Sequence, residues 1–276
     1  MKTIVITGAN TGIGFATAEK FIQQGHHVIL ACRNLEKAET AAQKLEQHGK
    51  GKVEVIQLDL NSLQNVKTVA EDLNSKLAHI DILINNAGLM TTDLQTTAEG
   101  YEQQFGVNYL AHFLWTQKLL PLLKKAPQGR VIHLASMMHA LGRVQPEKFK
   151  AEQIDKYNGV LSYGNSKLAN LLFSDTLAKK LQGTSVTSNA LHPGGVDSDI
   201  YRALPKYQYL AMKLFLLPTS KPAQLISEMA LDDKWASRNG DYASLQVPAF
   251  RTPLAKNKNL GEKLYEQSLQ LVKDFL

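Results

Sequence analysis

A chain of 276 residues that is 44% hydrophobic and 20% charged has the composition of a soluble globular protein, and its length suits one α/β domain. Its single cysteine, Cys32, excludes an internal disulfide framework and fits a reducing compartment. The net charge of +6 comes from basic residues in runs no longer than pairs, which argues against a nucleic-acid partner but would attract a phosphate-rich ligand.

The first strand-like run, residues 3–7, begins almost at once, so no signal peptide is expected before it. Further apolar, β-rich runs follow at 27–31, 53–58, 80–85, 129–135 and 185–191. They do not alternate, as expected of strands buried on both faces of a parallel sheet. Between them, helical periodicity runs over 15–24, 35–47, 63–77, 98–124 and 161–180. A polar excursion at 137–160 and a turn-rich apolar stretch at 196–222 interrupt the pattern, and both are candidate walls of a ligand cleft. A helix near 222–232, an edge strand near 241–245 and a terminal helix from about Asn259 complete the chain. This alternation predicts one doubly wound Rossmann-type α/β domain, 1–276, with a mostly parallel sheet of about seven strands flanked by helices. No stretch approaches the roughly 20 apolar residues of a membrane span, and a soluble, cytoplasmic protein is expected.

Thr7-Gly8-Ala9-Asn10-Thr11-Gly12-Ile13-Gly14 lies between the first strand and the first helix. Glycines let the backbone turn sharply and approach a ligand, and the helix start offers amide donors and a positive dipole to a pyrophosphate. A bare strand–helix turn is the simpler alternative, but the place at the head of a βαβ unit favours dinucleotide binding by Gly8, Asn10, Thr11, Gly12, Ile13 and Gly14.

The spacing Gly-x-x-x-Gly-x-Gly resembles that of the short-chain dehydrogenase/reductase family, and further motifs fall in the same order along nearly the whole chain. The resemblance implies that Asn85-Asn86-Ala87-Gly88 supports the central strand and lines the adenosine pocket. It also implies that Asp59 and Leu60 contact the adenine, and that Pro193, Gly194, Val196 and Ser198 contact the nicotinamide end. Cys32 stands where NAD-preferring relatives carry an acidic residue, and Arg33 and Asn34 follow. A 2′-phosphate repels carboxylate and attracts arginine, so NADP(H) is the expected cofactor. Thr11 qualifies this, since many NADP-specific relatives add a second basic residue in the glycine loop.

Tyr-x-x-x-Lys occurs twice, at Tyr163–Lys167 and at Tyr209–Lys213. Context selects the first, because Tyr163 and Lys167 share a helix face downstream of Ser136 at a strand end. Free tyrosine titrates near pH ~10, and an adjacent ammonium lowers that value, so Tyr163 can serve as general acid or base. Ser136 would hold the substrate oxygen. By resemblance, Lys167 also binds the nicotinamide ribose, and Asn108 supports a water-mediated proton path to it; capping or bridging backbone is the alternative use of Asn108. His133, His139 and His192 lack the acids or cysteines that would complete a metal site, and packing or loop roles are expected of them.

FGVNYLAHF at 105–113, SKLANLLF at 166–173 and LHPG at 191–194 resemble the retinol-dehydrogenase-like subgroup, and a member without the N-terminal anchor that many animal members carry is expected. Tyr207 and Leu214 belong to a stretch that reads either as an apolar lid for a lipophilic aldehyde or ketone or as an ordinary packing helix. The expected activity interconverts such a carbonyl and its alcohol, in a monomer or a homo-oligomer. Two alternatives remain: a non-catalytic NADP-binding redox sensor, and a protochlorophyllide-reductase-like enzyme. The intact Ser136–Tyr163–Lys167 set favours catalysis.

Overall fold

The computed structural model describes residues 1–145, 149–196, 216–245 and 247–276. Seven strands form one sheet in the order β3-β2-β1-β4-β5-β6-β7, with every neighbouring pair parallel. They are β1 (Thr3–Thr7), β2 (His27–Cys32), β3 (Lys52–Gln57), β4 (Ile82–Asn85), β5 (Gly129–Leu134), β6 (Val186–His192) and β7 (Tyr242–Ser244). Parallel neighbours require crossovers, and these carry α1 (Gly12–Gln23), α2 (Leu35–Glu46), α3 (Leu63–Lys76), α4 (Ala111–Lys125), α5 (Gly159–Lys180) and α6 (Ser220–Leu231); α7 (Lys258–Leu271) ends the fold.

Alternation along each strand builds two cores, since successive side chains point to opposite faces. Val5, Ile29, Leu83 and Val131 join α3, α4 and α5 in one layer. Ile4, Ile6, Val28, Ile82 and Ile132 join α1, α2 and α6 in the other. The order reverses between β1 and β4, and the carboxyl ends of these strands open the crevice where α/β sheets bind ligands.

Three stretches depart from the sequence expectation. The strand predicted to be buried at 53–58 is the sheet edge, so Lys52–Gln57 is half-exposed and Leu58 leaves the ladder to pack in the core. The helix predicted over 98–124 does not begin at Ala98. Thr96 bridges Glu102, Gly100 turns with φ +79°, and Glu102 caps the helical path by accepting bonds from the Gln104 and Phe105 amides. That path runs through a single turn, Gln103–Phe105, and a π-helical stretch, Gly106–Leu110, before α4. The 137–160 excursion holds two 3₁₀ turns, Met137–Leu141 and Ala151–Gln153, and sends Phe149 into the core, stacked 3.8 Å from Phe105. The predicted lid at 196–222 falls mostly outside the described residues.

Candidate active site

The strand ends from β1 to β6 surround a cleft of about 490 Å³. At its centre, Gly8 and Gly12 take φ of +66° and +58°, values that a side chain would strain. A Cβ at Gly14 would lie 2.5 Å from the Gly8 carbonyl, so α1 packs directly on the loop. A Cβ at Gly12 would meet nothing within 4 Å, so the loop faces open space. Thr11 caps α1 without a side-chain bond, and the helix start turns its dipole and amides toward the cleft. Asn86 braces the loop from β4, donating from Nδ2 to the Thr7 carbonyl at 2.7 Å and the Gly8 carbonyl at 3.3 Å. A cradle of this shape and polarity fits a dinucleotide diphosphate.

The β2 end supplies the positive side of the cleft. Cys32 is buried, whereas Arg33 and Asn34 are exposed and line the wall. Asn34 caps α2 by accepting from the Lys37 amide at 2.8 Å. That turn brings Lys37 to the same wall, a residue the sequence reading missed. Its signal was the i, i+4 spacing from Arg33 across a helix cap, obscured because a lone helix lysine is usually a solvated charge. Asp59 and Leu60 line the cleft as expected, with the Asp59 carboxylate accepting from the Asn61 amide at 2.9 Å.

Across the switch point, Ala87, Gly88, Tyr163, Lys167 and Pro193 complete the lining. Both Tyr163 and Lys167 are buried, and the lysine Nζ lies 5.4 Å from the tyrosine ring centroid. Lys167 donates to the Leu134 carbonyl at 2.9 Å, and burial pushes its pKa down to about 8. Asn170 donates to the same carbonyl at 3.2 Å, so the end of β5 fixes two successive turns of α5. Asn108 sits in the π-helical stretch beside Lys167: a Cβ on Gly88 would lie 3.4 Å from Asn108 Oδ1 and 3.5 Å from Lys167 Nζ. Its side chain bridges backbone, accepting from the Leu89 amide at 2.8 Å and donating to the Leu89 carbonyl at 2.9 Å.

Ser136 follows β5, buried, its hydroxyl accepting from the Met138 amide at 3.2 Å. His139 donates from Nδ1 to the Ser136 carbonyl at 2.7 Å, and its ring packs edge-on to Tyr242 and against Phe250. His192 is buried at the β6 end and pushed down to about 4 by burial, with Lys167 and His139 adding to the effect. His133 is core, T-shaped to Phe173 at 5.0 Å. Among the described residues no three His, Cys, Asp or Glu side chains converge on a point that could hold a metal. Gly194, with φ +85°, and Val196 continue from Pro193 but do not line the cleft. Ser198, Tyr207, Tyr209, Lys213 and Leu214 lie outside the described residues.

Comparison with known proteins agrees with this geometry. Residues 2–208 match the family described as short chain dehydrogenase. Mouse retinol dehydrogenase 12 is 39% identical over 98% of this chain and 86% of its own length. Human retinol dehydrogenase 13 is 37% identical over 98% and 84%. A structure from Mycobacterium paratuberculosis superposes with a TM-score of 0.81 at 32% identity, covering 99% of this chain and 94% of that one. The NADP complex of Pseudomonas aeruginosa RhlG gives a TM-score of 0.73 at 25% identity, covering 88% and 94%. Among the described residues no helix is long and apolar enough to cross a membrane.

Proposed function

The chain belongs to the short chain dehydrogenase family and acts on CH–OH donors with a nicotinamide cofactor, and from that premise we propose that it is an NADP(H)-dependent oxidoreductase interconverting lipophilic aldehydes or ketones and their alcohols. One observation carries the reading. Residues from six strand and helix ends converge on one cleft that pairs a phosphate cradle and two cations with a buried Tyr–Lys pair. In this reading the whole chain is one catalytic domain in the cytoplasm, for which the unpaired Cys32 gives support.

When bound, the nicotinamide supplies or accepts the hydride. Every other task falls to side chains. Tyr163 gives its phenolic proton to the oxygen of a carbonyl undergoing reduction and takes it back in the oxidation. The Lys167 ammonium beside the ring favours the phenolate over the phenol and makes that transfer easier near neutral pH. Ser136, whose hydroxyl accepts from the Met138 amide and keeps its own proton to donate, holds the reacting oxygen in line with the tyrosine. Arg33 and Lys37 pair with a 2′-phosphate, which a neutral Cys32 does not repel. Support for a lipophilic substrate comes from Met137 and Phe250, 48% and 55% exposed although apolar, the one following Ser136 and the other packed on His139.

Following NADPH absorbance against a panel of medium-chain and aromatic aldehydes, ketones and quinones tests the reading. Tyr163→Phe abolishes turnover and leaves NADPH affinity within about threefold, since general acid–base groups contribute about 10²–10⁴-fold. Parental turnover in that variant would sink the mechanism, and a protein that binds NADPH yet reduces none of the panel would be a sensor.

A further inference from the structure

Between the glycine loop and α5 runs an unbroken line of buried polar groups, from β1 through α4. Thr7 Oγ1 accepts from the Asn86 amide at 3.0 Å and the Ala87 amide at 2.9 Å, which engages both lone pairs. Its own proton therefore goes to His112 Nε2 at 2.8 Å, in preference to the Ile84 carbonyl at 3.5 Å. This settles the tautomer: Nε2 accepts, so Nδ1 carries the hydrogen and donates to the Asn108 carbonyl at 3.1 Å. The Asn108 side chain in turn donates to Ser166 Oγ at 3.1 Å, and Ser166 donates to the Tyr163 carbonyl at 2.8 Å. Thr7, Asn108 and Ser166 are fully buried and His112 nearly so, and each bond in the line has one possible direction.

We propose that Thr7, His112, Asn108 and Ser166 form a strut that sets Tyr163 relative to the phosphate loop, with His112 as its central positioning residue. The inference rests on the reading of Tyr163 as the general acid. A strut of this kind is useful because the two sites it joins hold the two reactants. The loop fixes the cofactor and α5 fixes the proton donor, and an error of about 1 Å between them costs on the order of 10²-fold in rate. His112 suits the task because it must stay neutral to accept at one nitrogen and donate at the other. Burial holds it so, with its pKa pushed down to about 4. Histidine is also the side chain that spans from its own helix, four residues back, to a strand end 105 positions away.

Three substitutions test the strut in the full-length protein, with kcat at saturating NADPH, NADPH Kd and melting temperature as readouts. His112→Leu breaks both ends, and Ser166→Ala cuts the line farther along. Each lowers kcat about ten- to a hundredfold while Kd stays within about threefold. Because they cut one line, their combination is no slower than the worse single variant. His112→Asn places an amide where Nδ1 stood and keeps the bond to the Asn108 carbonyl but cannot reach Thr7, so it cuts the line at the loop end alone and lowers kcat about as far as His112→Leu. Losses that multiply in the double variant, or an Asn variant with parental kcat, overturn the strut. So does a loss confined to Kd. If His112→Leu fails to fold, the comparison of Ser166→Ala with His112→Asn still decides. Parental turnover in Tyr163→Phe overturns the reading of the tyrosine and the strut with it; an inactive Tyr163→Phe beside multiplying losses overturns the strut alone.

Discussion

A buried cation sits at each end of β5, and the chain handles the two differently. At the amino end, Arg130 donates to the Met229 carbonyl at 3.1 Å, the Asp232 carbonyl at 3.0 Å and Gln128 Oε1 at 2.9 Å. At the carboxyl end, Lys167 has three donors and one acceptor among the described residues, the Leu134 carbonyl. Burial works against both charges, but only the arginine is compensated by a fork of acceptors, which ties β5 to the end of α6. The lysine is held at an energetic cost with donors to spare. Stability is concentrated at the amino edge of the sheet and chemical readiness at the carboxyl edge.

Exchanging the lysine is the most direct way to break this contrast. Lys167→Met lowers turnover on the order of 10²–10⁴-fold, measured as NADPH oxidation with the best aldehyde of the panel. Arg130→Met does the opposite. It takes the donor from the Met229 carbonyl and from Gln128 Oε1, while the Asp232 carbonyl keeps the Trp235 amide, and costs about 3 kcal/mol in urea unfolding, with kcat per folded molecule unchanged within about twofold. A drop in kcat for Arg130→Met, or no loss of stability, would erase the distinction.

The same lysine variant sharpens the comparison from the other side. A folded pKa of about 8 lies below the ordinary lysine value of 10.5, so the unfolded chain binds the extra proton between those values. Burial of the ammonium therefore destabilises the parent below pH 8, and its stability recovers as pH rises toward 10.5. Lys167→Met lacks that dependence and gains up to about 3 kcal/mol at pH 7, a difference that closes at high pH. Chemical unfolding of both proteins at pH 7 and pH 10 reads it; an unchanged difference refutes the buried charge. Smaller effects are expected at the exposed end of the cleft. Arg33→Ala and Lys37→Ala each weaken NADPH binding about tenfold, by titration, with NADH affinity unaltered. Equal losses for both cofactors would remove the 2′-phosphate from the reading.

The parts of this architecture that were legible in the sequence are those where chemistry leaves few choices. Backbone next to a diphosphate calls for glycine, and a proton donor with its cation calls for Tyr and Lys one helical turn apart. The place of Arg33 on the cleft wall was legible from its position at the end of β2. That of Lys37 was not, because it depends on Asn34 capping α2 and turning it toward the cleft. The early start assigned to the helix before α4 overlooked Gly100 and the Glu102 cap, whose local bonds outweigh helical periodicity. His112 was visible only as a letter in a motif, since Thr7, which defines its tautomer, is distant in the chain. Asn108 realises the backbone-bridging alternative without leaving the side of Lys167.

Cys32 has a further consequence. The thiolate is the reactive form of cysteine, and burial pushes this thiol up to about 11, despite backbone contacts from Ala9 and Asn10 that pull the other way. A dehydrogenase that turns alcohols into carbonyl compounds works among electrophiles of its own making. The chain's only thiol stands at the edge of the cleft, kept protonated and shielded, so neither an electrophilic carbonyl compound nor a mild oxidant finds a thiolate to modify.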